Sequence, residues 1–164
     1  MCSNRFELFI DNLTIPNNQL ARGRKVDKRT RARELAIQGL YQLDVQGSDL
    51  LEQLNEFFIE NDPNPSVRKL ASEWTKGTWE NLALCDELIT ASSIKWQLSR
   101  LSMVDKSILR LAVYQLKFCP DMPPKVVINE AIELAKKFST DKSSAFVNGV
   151  LDAVLKKIQK AEND

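Results

Sequence analysis

Apolar residues recur every three or four positions along most of this chain, a spacing typical of amphipathic helices. No segment shows the period-two alternation of a half-buried strand. Glycine and proline, which an all-β fold needs at its many turns, number only five and six in 164 residues. The pattern predicts an all-α fold with helices at about residues 28–45, 49–60, 66–91, 102–119, 125–138 and 141–160.

The length of the chain favours one domain or two tightly packed subdomains. Residues 1–24 have no sustained helical period and contain Asn, Pro and Gly, so we predict a flexible N-terminal extension there. Residues 25–164 are predicted to form one helical domain, with subdomains at about 25–91 and 92–160. Two helical bundles that share a core are the expected architecture.

The absence of histidine excludes Ser-His and Cys-His catalysis together with histidine metal sites. No glycine-rich phosphate loop or paired acidic motif is present, so we expect neither catalysis, nor a cofactor, nor a metal. Three scattered cysteines, an odd number, predict free thiols in a reducing compartment. No apolar stretch is long enough for a membrane span or a signal peptide, and the predicted location is therefore the cytoplasm, without membrane contact.

A dense basic cluster spans residues 22–33 although the net charge is only +1. On composition alone, a solvated basic tail and a nucleic-acid surface are about equally good interpretations. Its position at the start of a well-defined helix, where some arginines are presented rigidly, favours a phosphate-binding surface. The members of the cluster are Arg22, Arg24, Lys25, Lys28, Arg29, Arg31 and Arg33.

Several aromatic and apolar residues allow two interpretations each. Ile37 and Tyr41 fall outside the predicted core face of the first helix, where they either pack under the N-terminal extension or contact a protein partner. Phe146 lies at the edge of its helix face after a serine-containing loop, so it is either a core residue or a platform for base stacking. The three tryptophans, Trp74, Trp79 and Trp96, are predicted to belong to the core.

Three segments resemble the bacterial NusB family of transcription antitermination factors. They are RTRARELAIQGLYQLD (29–44), MVDKSILRLAVYQL (103–116) and KVVINEAIELAKKFSTDKSSAFVNGVLD (125–152). The resemblance implies two subdomains of three-helix-bundle type and a function without catalysis. It further implies pairing with NusE, a small-subunit ribosomal protein. The pair would bind single-stranded boxA RNA of nascent transcripts, especially ribosomal RNA leaders, and help RNA polymerase to read through terminators.

The resemblance also suggests site residues. Arg29, Arg31 and Arg33 match the arginine-rich RNA-binding motif, and Lys25 and Lys28 extend it. Phe146 matches an aromatic residue that contacts an RNA base, with Lys142 and Ser144 in the loop before it. The expected partner-binding residues are Ile37, Tyr41, Asp105 and Arg110, of which the last three match positions near the NusE surface.

Two departures from the family pattern fall in this loop. Ser139 replaces a usual glycine, which predicts a different backbone geometry. Lys142 replaces a common acidic residue, which should strengthen the attraction for phosphate and change a partner contact.

Two alternatives stay open at this stage. A similar domain is fused to ribosomal RNA cytosine methyltransferases, but no Rossmann glycine motif or catalytic cysteine segment is present here. The other alternative is a helical adaptor that binds proteins without RNA, or a homodimer that buries its basic face.

Overall fold

The computed structural model describes residues 27–93 and 98–164. Residues 1–26 and 94–97 lie outside it, and with them the predicted N-terminal extension, Lys25 and Trp96. The described residues form helices without any strand, which confirms the all-α prediction. The helices are α1 Lys28–Gln46, α2 Leu54–Asn61, α3 Pro65–Glu80, α4 Leu82–Ser92, α5 Met103–Phe118, α6 Pro124–Phe138 and α7 Asp141–Asn163, with short 3-10 turns at Ser48–Glu52 and Leu98–Arg100.

Side-chain caps fix where several helices begin. Ser102 Oγ accepts a hydrogen bond from the backbone N–H of Asp105 at 3.1 Å, which confirms the predicted cap of α5. Thr140 caps α7 in the same way through the N–H of Ser143 at 3.0 Å. Asn64 caps α3, whose first residue is Pro65, a position that tolerates proline because its missing N–H would have no helical partner.

The prediction of a single long helix over residues 66–91 is wrong. The structure divides this segment at Asn81, whose φ and ψ of −107° and 22° leave the helical region. The Asn81 side chain donates a hydrogen bond from Nδ2 to the carbonyl of Gly77 at 2.8 Å. An amide side chain that binds the backbone one turn earlier competes with the helical hydrogen bonds, and α4 therefore begins as a separate helix.

Helix α1 is the central element, because it packs against α3 on one side and α5 on the other. Every residue from Ala32 to Leu40 is buried, so the helix has no solvent face over that stretch. The predicted polar side of α1 is therefore a second core face, and Ile37 on it is fully buried. A helical wheel places a core face correctly only where one neighbour covers the helix.

The core is continuous between the two halves of the chain. It contains α1 together with residues of α3, α5, α6 and α7, and Trp74 is buried in it while Trp79 packs against its edge. The core interpretation of these two tryptophans is confirmed. The predicted boundary between subdomains near residue 91 remains a prediction. Cys85 is buried and Cys119 half-buried, both as free thiols, as expected.

Candidate nucleic-acid interface

The first turn of α1 presents two cations to solvent. Lys28 is exposed, and the Arg29 side chain keeps 51% of its accessible surface. Arg29 Nη2 lies 3.9 Å from Asp121 Oδ2, whose side chain is 73% exposed. An ion pair that long and that exposed is worth little, so an approaching phosphate can displace it.

Arg31 is held in place by three acceptors. Its Nε donates to Asp62 Oδ2 at 2.8 Å and its Nη1 to Glu34 Oε2 at 3.1 Å. Its Nη2 donates to the carbonyl of Asn61 at 3.0 Å, and the side chain remains 26% exposed. Arg31 therefore joins α1 to the end of α2, and its positive charge is largely offset by two carboxylates.

Arg33 lies in the interior, which corrects its predicted place on the RNA surface. Only 3% of the residue is exposed. Its Nε donates to Gln115 Oε1 at 3.3 Å, its Nη1 lies 3.7 Å from Glu130 Oε2, and the guanidinium stacks 5.4 Å from the Trp74 ring centroid. Burial lowers the pKa of Arg33, and the charge of Glu130 acts in the opposite direction.

Glu130 and Glu34 join α1 to α6. Thr30 Oγ1 donates to Glu130 Oε2 at 3.0 Å, and Lys137 Nζ donates to Glu34 Oε1 at 2.5 Å. The Lys137 ammonium also lies 5.1 Å from the Phe138 ring centroid, at the last turn of α6. These contacts hold the first half of α1 against α6, whose last turn leads through Ser139 and Thr140 into α7.

Lys137 and Glu34 were missed by the sequence interpretation. Glu34 lies on the side of α1 opposite the predicted core face, where the apolar pattern gives no signal of burial. A buried carboxylate needs a cationic partner. Glu34 is 4% exposed and has two such partners, Arg31 and Lys137.

A network of hydroxyl groups orders the loop between α6 and α7. Ser143 Oγ accepts hydrogen bonds from Ser139 Oγ at 2.9 Å and Thr140 Oγ1 at 3.0 Å, and donates to Asp105 Oδ2 at 3.0 Å. Lys142, beside it, is exposed. Ser139 has φ of −131° and ψ of −125°, and no residue of this region has a positive φ. The predicted departure from the family's backbone geometry at Ser139 stays a prediction.

The two other predicted residues of this loop region differ in exposure. Ser144 is only 7% exposed, and its Oγ donates to the carbonyl of Asp141 at 2.7 Å. This hydroxyl stabilises the first turn of α7, and the contact of Ser144 with RNA stays a prediction. Phe146 is half-buried and packs against the core with part of its ring at the surface. The packing agrees with the core interpretation of Phe146, and its role as a platform for base stacking stays a prediction.

The predicted partner-binding residues are mostly interior. The burial of Ile37 contradicts a direct contact with a partner. Arg110, 7% exposed, donates from Nε and Nη2 to the two carboxylate oxygens of Asp86 at 2.7 and 2.8 Å, and lies 3.4 Å from Asp44 Oδ1. Burial would lower the pKa of Arg110, but the hydrogen bonds and charges of these aspartates outweigh it, and the net pKa is raised.

Asp105 is 6% exposed and accepts a hydrogen bond from Ser143 Oγ. Asp105 and Arg110 both have contacts within the protein, and their direct contact with a partner stays a prediction. Tyr41 is half-buried near the middle of α1 and keeps some accessible surface.

Other kinds of site are not found in the described part of the chain. Residues 27–93 and 98–164 contain no group of three or more acidic or cysteine side chains that could hold a metal ion. No described helix is both long enough and apolar enough to cross a lipid bilayer.

The chain was compared with known families and proteins. A model of the NusB family matches residues 30–156. The chain is similar to the transcription antitermination protein NusB of Syntrophus aciditrophicus, with 40% identity over 137 residues that cover 84% of this chain and 85% of the relative. It is 44% identical to that of Desulfatibacillum aliphaticivorans over 139 residues, covering 82% and 96%.

Solved structures give the same result. T. maritima NusB superimposes with a TM-score of 0.72 at 38% identity, covering 82% of this chain and 94% of that one. A chain from the crystal structure of antitermination factors NusB and NusE in complex with double-stranded RNA superimposes with a TM-score of 0.72 at 29% identity, covering 81% and 99%.

Proposed function

Because the chain belongs to the NusB family, we propose that it is a transcription antitermination factor that binds RNA together with NusE. Its proposed ligand is single-stranded boxA-like RNA in nascent transcripts, especially ribosomal RNA leaders. The bound complex joins the RNA polymerase antitermination complex and acts in the cytoplasm. A related structure, in which NusB and NusE are in complex with double-stranded RNA, supports NusE as the partner and RNA as the class of ligand.

The observation that carries the proposal is that two exposed basic regions belong to parts of the fold held together by an ion pair between α1 and α6. The start of α1 offers Lys28 and Arg29, and the first turn of α7 offers Lys142. The Glu34–Lys137 ion pair holds α1 against the end of α6 between them. Lysine and arginine attract the phosphate backbone without regard to sequence. These residues therefore supply affinity and hold the RNA in register.

Base recognition requires a different kind of side chain. Phe146 follows the basic loop by one helical turn and keeps part of its ring at the surface. Unstacked bases of single-stranded RNA stack on such rings, and each contact contributes about 1–3 kcal/mol. We assign phosphate attraction to Lys28, Arg29 and Lys142, and base stacking to Phe146.

The proposed contact with NusE uses the opposite part of α1. Tyr41 lies three turns beyond Arg29 and retains accessible surface. Asp44, one turn further, is half-exposed while it pairs with the buried Arg110. A tyrosine beside a fixed carboxylate is a suitable contact for a basic ribosomal protein. The function needs no chemistry beyond these contacts, and we propose no catalytic role.

The experiment measures fluorescence anisotropy of a labelled boxA-like RNA with wild type and two variants, K28A/R29A and F146A, with and without NusE. We expect a loss of affinity on the order of tenfold for each variant. K28A/R29A should also reduce the slope of log K against log salt by about 1.4, since each phosphate contact to a single strand contributes about 0.7. F146A should leave that slope unchanged.

K156A/K160A is the matched control, since both lysines are exposed on α7. Wild-type affinity in the control, together with its loss in the two site variants, supports the proposal. Equal affinity in all four proteins would show that this face does not bind RNA. If the RNA affinity of wild type does not change when NusE is added, NusE is not the partner.

A further inference from the structure

A second basic surface lies on the far side of Arg31, in an open groove between α2 and α3. The groove has a volume of about 420 Å³. Three cations of α3 line it, Arg68, Lys69 and Lys76, against one acid, Glu73. Asn55 and Ser72 add an amide and a hydroxyl that can hydrogen-bond to sugar or phosphate oxygens. The lining therefore carries a net charge of +2, the three cations less the one acid.

Within residues 27–93 and 98–164, the two lysines of the groove have no acidic partner in an ion pair. Both are exposed, and neither forms an ion pair with any other described residue. Lys69 and Lys76 are seven residues apart, so they lie two turns apart on one side of α3, separated by about 10 Å of helix rise. A row of unpaired cations along an open groove suits an extended polyanion better than a compact one.

One buried aspartate fixes the groove beside the basic start of α1. Asp62, 7% exposed, accepts a hydrogen bond from Arg31 Nε on its side chain at 2.8 Å. Its carbonyl accepts another from Arg68 Nη1 at 2.9 Å. Arg31 and Arg68 thus bind the same residue from two sides. Through Asp62, the first turn of α1 is joined to the N-terminal part of α3, which carries the groove.

We propose that this groove binds the phosphate backbone of the RNA segment that flanks the boxA-like element. The inference rests on the proposed function for the position of that element. The groove supplies affinity without sequence preference, because lysine and arginine contacts to phosphate do not distinguish bases. RNA that is long enough to reach the groove therefore binds more tightly than the element alone.

The test compares two RNAs, a short one limited to the boxA-like element and a long one with about ten added nucleotides at either end. The proteins are wild type, K69Q/K76Q and the control K156Q/K160Q, all with NusE present. In wild type and control we expect the long RNA to bind several-fold more tightly than the short one. K69Q/K76Q should bind the long RNA no more tightly than the short one, with its affinity for the short RNA unchanged. On the long RNA, its slope of log K against log salt should be smaller than that of wild type by about 1.4.

A third variant tests the sign of the electrostatic effect. E73Q removes the one acid of the groove, so it should strengthen binding of the long RNA alone, by about two- to threefold. The groove proposal is contradicted if wild type binds the long RNA no more tightly than the short one. It is also contradicted if K69Q/K76Q binds the long RNA as tightly as the control does. An equal loss on both RNAs would also overturn it. Loss of NusE binding in K69Q/K76Q, with RNA affinity intact, would instead identify the groove as a protein contact.

Failure of the proposed function has a different signature. In that case wild type does not prefer the boxA-like element over a short RNA of scrambled sequence. The groove is then judged on a long scrambled RNA, where the difference between K69Q/K76Q and the control must persist. If wild type binds no long RNA of either sequence, the groove proposal fails as well.

Discussion

Ser143 Oγ donates a hydrogen bond to Asp105 Oδ2 at 3.0 Å and so ties the α6–α7 loop to the first turn of α5. The two residues are 38 positions apart in sequence. Among the described residues no donor reaches the other carboxylate oxygen of Asp105, although that atom is buried. Ser143 therefore supplies the side-chain hydrogen bond to this buried carboxylate, and this bond fixes the start of α7 against the start of α5.

Replacing Ser143 with alanine should destabilise the protein by about 1–2 kcal/mol, because the buried Asp105 carboxylate then loses its hydroxyl partner. The same change should weaken RNA binding a few-fold, since the loop carries Lys142. Urea unfolding and RNA anisotropy measure the two effects. A double-mutant cycle with D105A isolates the pair, and a coupling energy below about 0.5 kcal/mol would show that the link contributes nothing.

Substitutions of Arg33 and Arg29 should separate stability from binding. R33A removes a buried cation from Glu130 and Gln115, and we expect it to lower the free energy of unfolding by about 3 kcal/mol. R29A removes an exposed cation, with a change within about 0.5 kcal/mol but with weaker RNA binding. Thermal unfolding measures the stability of both variants, and fluorescence anisotropy measures their RNA affinity. An R33A protein as stable as wild type would mean that Arg33 is not held in the core.

Two helical glycines should respond to alanine in opposite directions. A Cβ on Gly77 would overlap the ring and hydroxyl of Tyr114, and we expect G77A to destabilise the protein by about 1–3 kcal/mol. A Cβ on Gly149 meets nothing within 4 Å, so G149A should stabilise α7 by about 0.5–1 kcal/mol. Thermal unfolding compares them. Destabilisation of G77A that Y114L fails to relieve would argue against this contact.

The thiol of Cys85 should make stability depend on pH in the alkaline range. Burial, with help from the charge of Asp86, raises its pKa from 9.0 to about 12. The unfolded chain ionises this thiol near pH 9 whereas the folded protein keeps it neutral. The buried neutral thiol therefore does not lower the free energy of unfolding below pH 9. As pH rises from 9 towards 12, ionisation in the unfolded chain lowers that free energy by at most about 1.4 kcal/mol per pH unit. Urea unfolding from pH 8 to 11 measures the slope.

C85A is the control for this titration, since it lacks the ionisable group and other alkaline titrations are common to both proteins. Its free energy of unfolding should fall less steeply than that of wild type. Parallel slopes for the two proteins would show that Cys85 ionises equally well in the folded state.

The local sequence pattern predicted where helices lie, but it did not predict where a helix is interrupted. The apolar spacing of α1, α5 and α6 predicted their bounds to within a residue or two, because a helix repeats every few residues. The break at Asn81 depends on one side-chain hydrogen bond to Gly77, which a hydrophobic pattern does not register. A helix break that depends on a single side-chain hydrogen bond therefore cannot be predicted from hydrophobic periodicity.

The candidate site was predictable in its region but not in its individual residues. Basic density and the NusB-like segments located the start of α1. Whether an arginine there faces solvent depends on partners distant in sequence, such as Gln115, which is 82 residues from Arg33. Arg29 and Arg33 belong to the same run of sequence, yet one is exposed and the other buried. No local feature distinguishes them.

The joining of α1 to α6 has a consequence for synthesis of the protein. Thr30 and Glu130 are 100 residues apart. At roughly 5–20 residues per second, Glu130 is made about 5–20 s after Thr30. During that interval α1 lacks both its α6 partners and the loop that carries Lys142. A growing chain therefore exposes its basic helix start long before it has a complete RNA face, and tight binding begins only after α6 and the first turn of α7 have been made.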